Sequence, residues 1–388
     1  MKVLMINYEY PPVGGGGGVL CRDLAEGMVD RGHEVSVVTS QFEDSPRSEE
    51  VNGVTLHRVP VWMRRQQNVA SMASMLSYVP LAIGRGGELL AGGSYDLINT
   101  YFAVPSGPAG CYLSWRYDLP DVLHILGGDI YDPSKSLSPH RIPFLRGTVG
   151  KMMQWADRVV AESTDVENNA RRYYGTTRHI DIIPLAVRPN PYESASRAGL
   201  GLKEQRFTLV TVGRLIRRKN LSELLEIFGT IHGRIPCQLL IVGEGPERKG
   251  LEEQAAAMGL ADSVTFAGRV SERRKFELLS ASDVYVSTAL HEGFGIVFLE
   301  AMECGLPVVC YDRGGQTDYL GNGETGYVVG FSDKDTFANQ CCFLYEHEQI
   351  RMNVSSHNAS YVKNFYIDKF VERHLVVFDK AIADHGGK

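Results

Sequence analysis

The sequence lacks the marks of a secreted or membrane-spanning chain. No stretch approaches the roughly 18 consecutive apolar residues of a spanning helix. The opening MKVLMINYEY carries one lysine and a short apolar run broken by Asn7, which predicts a first β-strand and not a signal peptide. The seven cysteines are odd in number and show no CxxC spacing, so they predict neither a disulfide framework nor a zinc site. We therefore expect a cytoplasmic protein in a reducing compartment.

A basic surplus is absent as well. The formal net charge is −6 at pH 7, whereas nucleic-acid-binding domains usually carry a positive excess. We therefore expect no nucleic-acid partner. With 388 residues, 44% of them hydrophobic and 22% charged, the chain is long enough for two ordinary globular domains.

What the sequence does contain is a regular alternation of short apolar runs with longer helical patterns. This alternation predicts an α/β fold with parallel sheets that are covered by helices on both faces. The runs predicted as strands are KVLMIN, EVSVVT, TLHRVPV, DLINTYF, DVLHILG and RVVAES in the first half, and FTLVTVG, CQLLIVG, SVTFAG, VYVST, LPVVCYD and TGYVV in the second.

The two groups of strands are separated by RPNPYESASRAGLGLKEQ, which is rich in proline, small residues and charges. Such a composition is typical of a linker. We therefore predict a Rossmann-like domain over residues 1–187, a linker over 188–205 and a second Rossmann-like domain over 206–365. The helical pattern of residues 366–385 predicts a C-terminal helix that packs back on the first domain.

A glycine-rich segment, YEYPPVGGGGGVL, follows the first predicted strand. Its backbone amides could approach a phosphate or a sugar closely, although a flexible loop explains the glycines equally well. No frame gives the dinucleotide fingerprint G-x-G-x-x-G, because Val19, Leu20 and Cys21 occupy the position of the third glycine. This failure counts against an NAD-linked dehydrogenase.

A basic turn, VGRLIRRKN, follows the first strand of the second group. Arg214 and Lys219 lie between a strand and a helix N-terminus, which predicts an anion site suited to a diphosphate. We interpret Arg217 and Arg218 as solvated residues of the turn.

Two glutamates lie eight positions apart in HEGFGIVFLEAM. The glycines predict that Glu292 lies in a loop and that Glu300 lies on a helix starting near Gly295, whose free amides would form a second anion site. Carboxylates that share one scissile bond usually lie within about 5–9.5 Å of each other, which this arrangement does not require. Glu300 leans toward the helix N-terminus, so it could accept hydrogen bonds from a ribose diol. The alternative is a surface or core carboxylate with an internal partner.

The segments GRLIRRKN, IVGEGPER, HEGFGIVFLEAMECGLPVV and DRGGQTDYL…GETGYVV resemble, in order and spacing, retaining glycosyltransferases of family 4 with the GT-B fold. PPVGGGGG and LAEGMVDRGHEVSVVTS resemble the N-terminal opening of that family. The resemblance implies two facing Rossmann-like domains with an interdomain cleft. It also implies a nucleotide-sugar donor held mainly by the second domain and an acceptor held mainly by the first.

The resemblance implies roles for individual residues. Arg214 and Lys219 would neutralise the donor diphosphate, Glu300 would hold the ribose hydroxyls, and Glu292 would contact the transferred sugar. The reaction would move a hexose-type sugar from a UDP- or GDP-sugar to a hydroxyl of a glycan or lipid-linked glycan, with retention and without a metal or cofactor. The leaving phosphate would help to take the acceptor proton. The further donor contacts that the resemblance implies are Gly15, Gly16, Val270, Gly293, Phe294 and Gly295.

The chain departs from the family in HILGGDIYDP, where Leu126 stands in place of a frequent histidine. We predict that Asp129, after two glycines at a strand end, is the catalytic residue of the acceptor side and matters more than His124. The pair Asp333 and Asp335 predicts helix capping and not a metal motif. The alternatives are a sugar phosphorylase, a nucleotide-sugar epimerase and a catalytically silent sugar-binding protein, the last of which fits the departure at Leu126.

Residues 57–90 form an apolar segment in which Trp62, Arg64 and Arg65 cluster. One interpretation is peripheral contact with anionic lipid at the inner face of the membrane, where a lipid-linked acceptor would be found. A mobile acceptor-loop helix is the other.

Overall fold

Strands and helices alternate along the chain in the computed structural model, which describes residues 1–64 and 70–385. Each apolar run predicted as a strand forms one. The chain divides into a first unit of Met1–Ala186 with Ile367–Lys388 and a second unit of Val187–Tyr366.

The first unit is built on an eight-stranded sheet with the order β3-β4-β2-β1-β5-β6-β7-β8. Its strands are β1 (Lys2–Asn7), β2 (Glu34–Ser40), β3 (Ser48–Val51), β4 (Val54–Val59), β5 (Leu97–Tyr101), β6 (Asp121–Ile125), β7 (Arg158–Ala161) and β8 (Ile180–Ile182). Its first helices are α1 (Gly16–Val29), α2 (Met72–Gly92), α3 (Gly107–Tyr117), α4 (Pro143–Trp155) and α5 (Thr164–Tyr174). The central strands are buried on both faces, as their continuous apolar sequences predict.

One edge of this sheet differs from the predicted parallel arrangement. β3 pairs with β4 in antiparallel register, joined by a two-residue turn of Asn52 and Gly53. Both turn residues have positive φ, 51° and 76°, as a type I′ hairpin requires. The Asn-Gly pair between valines was a hairpin signal that the alternation pattern alone did not reveal.

The second unit contains a six-stranded sheet with the order β11-β10-β9-β12-β13-β14, paired in parallel throughout. Its strands are β9 (Phe207–Val212), β10 (Cys237–Val242), β11 (Val264–Gly268), β12 (Val284–Ser287), β13 (Val308–Tyr311) and β14 (Gly326–Val329). Its helices are α6 (Leu221–His232), α7 (Arg248–Ala257), α8 (Glu272–Ser280), α9 (Ile296–Glu303), α10 (Lys334–Glu346) and α11 (Glu348–Tyr361). Leu209, Phe228 and Phe337 belong to its buried core.

The strand order of each sheet reverses at one place. In the second unit β9 to β11 run outward in one direction and β12 to β14 in the other, so the reversal lies between β9 and β12. In the first unit it lies between β1 and β5. Ligands of open α/β sheets bind outside the carboxyl ends of the strands at such a reversal. The loops that follow these four strands are therefore the expected ligand-binding loops.

The C-terminal helix α12 (Ile367–His385) belongs to the first unit, where it packs on α1. A Cβ atom on Gly27 would lie 2.6 Å from Val371, so the two helices approach closely at that point. The guanidinium of Arg31 pairs with Asp368 at 3.1 Å.

The residues predicted as a linker belong to the second unit. Arg197 pairs with Asp283 at 2.7 Å, and the amide of Asn190 donates to Glu303 at 2.9 Å. These contacts hold the segment on the second unit, although its composition is typical of a free linker.

Within residues 57–90, the side chains of the described part point in different directions. Trp62 is 71% exposed, whereas the guanidinium of Arg64 lies over the ring of Tyr8 and donates to Ser40 at 2.9 Å. Arg65 lies outside the described residues. Across the described ranges, we find no helix that combines the length and the apolar character needed to cross a bilayer.

Candidate active site

Several of the predicted donor residues of the second unit lie in loops at the reversal of its sheet. Gly213 and Arg214 follow β9, and the segment from His291 to Gly295 follows β12 and leads into α9. The side chain of Lys219 packs on Gly213, where an added Cβ atom would lie 3.0 Å from the lysine Cε. The same lysine forms an ion pair with Glu292. This pair joins the two loops.

The backbone of Glu292 is held by the turn after β13. Its amide donates to the carbonyl of Arg313 and its carbonyl accepts from the amide of Gly315, both at 2.9 Å. Gly314 lies between these contacts with φ 123°, and a Cβ atom there would lie 1.8 Å from the Glu292 carbonyl oxygen. Only glycine fits at residue 314, so the motif RGGQ, seen in sequence only as part of a resemblance, positions Glu292.

The carboxylate of Glu292 is buried, with a residue exposure of 6%. Burial alone would raise its pKa, but the charges of Lys219 and Arg218 outweigh burial, and the pKa of Glu292 is lowered. Arg218 lies 3.8 Å from the carboxylate. Glu292 is therefore ionised at neutral pH and is neutralised by neighbouring cations.

The interpretation of Arg218 as a solvated residue is wrong. Its guanidinium donates to the carbonyl of His291 at 3.0 Å, and its own carbonyl accepts from the amide of Leu290 at 2.8 Å. The 3-10 turn Arg217–Lys219 directs Arg218 inward and leaves Arg217 exposed, as predicted for that residue. The run of basic residues offers no local signal that separates one from the other.

Arg214 is exposed immediately after Gly213. Within residues 1–64 and 70–385, its guanidinium has no hydrogen-bond or ion-pair partner, so its charge is available to a ligand. Lys219, in contrast, already neutralises a carboxylate. The two residues predicted to act together therefore differ in what holds them.

Helix α9 begins as the glycines predict. Gly295, at φ 90°, precedes the first helical residue, and an added Cβ atom would lie 2.4 Å from the ring of Phe298. Phe294 is buried against Tyr319, whose hydroxyl donates to the Phe294 carbonyl at 2.9 Å. The turn is thus fixed. The Phe298 amide already donates to the Gly295 carbonyl at 2.9 Å, so an anion at this helix start would be bound by the amides of Ile296 and Val297.

Glu300 is on α9, as predicted, and it has the internal partner that a buried carboxylate needs. Its Oε1 accepts from the ammonium of Lys275 on α8 at 2.7 Å. Burial raises the pKa of Glu300, and the charge of Lys275 opposes that rise without cancelling it. The sequence analysis did not identify Lys275, because SERRKFELL contains three neighbouring cations and no local mark that selects one.

The remaining predicted donor residues lie elsewhere. Val270 is half-buried in the turn after β11. In the first unit, Gly15 caps α1 and its amide donates to the carboxylate of Glu9 at 2.9 Å, while Gly16 is the first residue of the helix. Both glycines follow β1 and so lie beside the reversal in the first sheet. Their contact with a donor stays a prediction.

The carboxylate of Asp129 accepts hydrogen bonds from the backbone of its own unit. Its two carboxylate oxygens accept from the amides of Ala103 at 2.6 Å and Leu126 at 2.9 Å. Burial raises the pKa of Asp129 to about 6, although these amides favour its ionised form. The side chain therefore ties the loop after β6 to the loop after β5, and its catalytic role stays a prediction.

His124 has a structural environment within β6. Its ring stacks on Tyr101 and His374, and its Nε2 lies 2.7 Å from the side-chain oxygen of Asn99. Burial, together with His374, lowers the pKa of His124 well below its usual value. A neutral, stacked histidine of this kind is a core residue.

Replacing Asp129 by asparagine should destabilise the protein by about 1–3 kcal/mol, because one of two buried amides would lose its acceptor. Urea unfolding followed by fluorescence measures this change. Asp118→Asn is the matched control, since the Asp118 side chain is fully exposed and should change stability by less than about 0.5 kcal/mol. Equal midpoints for Asp129→Asn and the control would contradict the assignment of Asp129 to the loops.

Asp333 caps α10, as its sequence context predicts, by accepting from the amide of Thr336 at 3.0 Å. In the ranges that the structure describes, no group of three or more histidine, cysteine, aspartate or glutamate side chains is arranged to hold a metal ion.

A cavity of about 1030 Å³ in the first unit lies away from all predicted site residues. Trp115 and Trp155 line it, together with Asp121 at the start of β6 and Asp157 just before β7. It is therefore next to the amino ends of these strands, whereas ligands of such sheets bind at the carboxyl ends. Size alone does not make it the reaction site.

Each of the two units matches a different model of a known protein family. Residues 15–186 match the family described as glycosyl transferase 4-like domain, and residues 193–360 match glycosyl transferases group 1. N-acetyl-alpha-D-glucosaminyl L-malate synthase of Bacillus anthracis is 24% identical over 97% of this chain and 96% of that protein.

Two solved structures share the fold. Sucrose-phosphate synthase from Thermosynechococcus elongatus superposes with a TM-score of 0.87 at 22% identity, over 99% of this chain and 100% of the other. HepE of Anabaena, in complex with UDP and glucose, gives 0.79 at 20% identity, over 98% and 99%. These likenesses confirm GT-B as the fold class.

Proposed function

Since this chain belongs to the glycosyl transferases group 1 family, we propose that it is a retaining glycosyltransferase that moves a hexose-type sugar from a UDP- or GDP-sugar to a hydroxyl acceptor. The observation that carries the proposal is the meeting of the loops after β9 and β12 through Lys219 and Glu292. Arg214 directly follows Gly213, on which Lys219 packs, and its charge has no ion-pair partner among the described residues. This constellation lies where α/β sheets bind their ligands.

The electrostatics of the second unit favour a diphosphate. Three cations, Arg214, Arg218 and Lys219, less the single carboxylate of Glu292, leave a net charge of two positive units. A departing nucleoside diphosphate gains negative charge as the glycosidic bond breaks. Preorganised cations and the first amides of α9 would stabilise that charge in the transition state more than in the ground state.

The two glutamates have different proposed roles. Glu292 is bound to cations and is held low in pKa, so it suits contact with sugar hydroxyls and the orientation of Lys219. Glu300 lies about one turn into α9 and would bind the ribose. We propose that they do not act as a general acid and a general base on one bond. Proton transfer from the acceptor to the leaving phosphate, without a metal, completes the proposed mechanism.

The donor and acceptor classes are part of the proposal. The UDP bound by HepE supports a nucleotide donor. The name of the B. anthracis relative pairs an N-acetylglucosaminyl group with L-malate, a hydroxy acid, which supports transfer to a hydroxyl. Glycans and lipid-linked glycans are the proposed acceptors. Contact of residues 57–90 with anionic lipid, which would accompany a lipid-linked acceptor, stays a prediction.

Incubation with a panel of UDP- and GDP-sugars and hydroxyl acceptors, with EDTA present, tests this function. We expect release of nucleoside diphosphate that depends on the acceptor, and proton NMR of the fresh product should show the anomeric configuration of the donor. An inverted product would overturn the retaining mechanism. If the protein instead consumes orthophosphate and a glycan and releases a sugar 1-phosphate and the shortened glycan, it is a phosphorylase.

Glu300→Gln tests the ribose contact. At about 100-fold excess over its dissociation constant, a nucleoside diphosphate should stabilise the wild type by about 2.7 kcal/mol, read as a rise in Tm. The glutamine variant should lose most of that rise, because charge-assisted hydrogen bonds to the diol are weakened. Inorganic diphosphate is the control ligand: it has no ribose, so its effect should be the same in both proteins. An unchanged response of Glu300→Gln to the nucleotide would show that Glu300 is only a core carboxylate.

A further inference from the structure

One oxygen of Glu300 has no partner. Oε1 is bound to Lys275, whereas Oε2 is buried and forms no hydrogen bond with any described residue. An ionised oxygen in that state is costly unless a ligand or a proton satisfies it. A ligand hydroxyl that reaches Oε2 would satisfy this oxygen while Oε1 keeps its contact with Lys275.

Lys275 is held more firmly than a surface lysine. Its side chain is 15% exposed, and its ammonium lies 2.7 Å from Glu300, 3.2 Å from Glu272 and 5.0 Å from the ring centroid of Phe276. The other two cations of this turn, Arg273 and Arg274, bind Glu277 instead. Among these three neighbours, Lys275 alone is directed at α9.

We propose that Lys275 is a positioning residue of the donor site, which holds Glu300 ionised and oriented through Oε1 so that Oε2 accepts from the ribose hydroxyls. This inference rests on the proposed binding of a nucleoside diphosphate at Glu300. Lys275 itself touches neither the ribose nor the reacting atoms.

The protonation of Glu300 depends on Lys275. Burial raises the pKa of Glu300, and the lysine charge is the influence that opposes it. Without that charge the carboxyl would hold its proton to higher pH, and a protonated carboxyl offers the diol one good acceptor in place of two. The other groups that act on this site are Glu272 of α8, which raises the pKa of Glu300 further, and Tyr285 of β12 and Cys304, both of which stay neutral because burial raises their pKa values.

The removal of the lysine charge therefore has two expected consequences. Lys275→Met should weaken binding of UDP or GDP, whichever the wild type takes, by about tenfold or more at neutral pH. Its affinity should then recover as pH rises from about 6 to about 9, while the affinity of the wild type, in which Lys275 opposes the rise in the pKa of Glu300, should change less over the same range. Lys275→Arg keeps the charge and should bind close to the wild type.

Isothermal titration with the nucleoside diphosphate, its 2′,3′-dideoxy analogue and inorganic diphosphate provides the test. We expect Lys275→Met to lose affinity for the first ligand only, so that the preference for the diol disappears. Glu272→Gln is the matched control, because it removes the other contact of Lys275 and leaves Glu300 in place. Lys275→Gln gives the same test if the methionine variant does not fold, and binding of inorganic diphosphate reports an intact site.

The possible outcomes distinguish a failure of the positioning role of Lys275 from a failure of the proposed function. A Lys275→Met variant that keeps the diol preference of the wild type, or that loses affinity for all three ligands equally, overturns the positioning role. A wild type that binds neither UDP nor GDP overturns the proposed function, and the inference with it. A pH-dependent loss confined to the diol, with recovery in Lys275→Arg, supports both.

Discussion

Replacing Arg214 by methionine should lower kcat for sugar transfer by about 10²–10³-fold, the usual cost of removing one group that stabilises transition-state charge. The guanidinium is exposed and has no partner in the part of the chain that the structure describes. Its loss should therefore leave the melting temperature within about a degree of the wild type. Steady-state kinetics and thermal unfolding measure the two effects independently.

Arg217→Met is the matched control for Arg214→Met. Arg217 lies in the same basic segment and is also exposed, but it belongs to the 3-10 turn Arg217–Lys219 and does not directly follow β9. The control variant should transfer sugar at close to the wild-type rate. If both variants lose activity alike, the effect comes from general positive potential and not from a specific contact of Arg214.

Lys219→Met should abolish transfer and also destabilise the fold, because this lysine is the main counter-charge of a buried carboxylate. Breaking a buried ion pair by removing one partner costs about 3–5 kcal/mol, and we expect the lower value because Arg218 remains 3.8 Å from Glu292. Urea unfolding measures the loss of stability. A wild-type free energy of unfolding in this variant would contradict the buried pair.

The double variant Lys219→Met, Glu292→Gln separates the two roles of the lysine. Removing the carboxylate charge eliminates the uncompensated buried ion, so most of the lost stability should return. Transfer should not return, because neither the cation nor the sugar contact is restored. Recovery of activity together with stability would mean that Lys219 serves the fold alone.

The pH dependence of Lys219→Met follows from the same charges. In the wild type the pKa of Glu292 is below its ordinary 4.5, so the pair adds stability above pH 4.5 that is lost as pH falls through the folded pKa. In the variant, burial is opposed only by the weaker influences of Arg218 and His291, so the folded pKa of Glu292 rises. The stability difference between the two proteins should therefore be larger at pH 7 than at pH 4, and it should shrink further as the pH falls below the folded pKa of Glu292 in the wild type.

Local interactions account for what could be predicted well. The strands of both sheets, the start of α9 after Gly295 and the capping of α10 by Asp333 all depend on residues close together in the chain. Apolar periodicity, glycine conformation and a capping side chain are visible within a few residues. The hairpin at Asn52 and Gly53 is equally local. It was not predicted, because the strand–helix alternation indicates parallel pairing.

The partners of the site residues could not be predicted in this way. Arg218 was interpreted as solvated because a run of cations carries no sign of which side chain turns inward. Lys275 was overlooked for the same reason. Asp129 was predicted to serve the reaction, but the structure engages both its oxygens with amides from two loops. Each of these contacts depends on which part of the fold packs against the side chain in the tertiary structure.

By itself, the sequence determined the alternation of strands and helices, the family likeness and the identity of the charged groups of the candidate site. Tertiary structure decided which of those groups meet. Lys219 and Glu292 are 73 residues apart, and Lys275 and Glu300 are 25 apart. The first pair forms because β12 lies between β9 and β13, which brings the loop before α9 against the turn after β9 on one side and against Gly314 on the other. Strand order is a property of the whole sheet, since it depends on how all the apolar faces are buried together, and no segment of the chain encodes it alone.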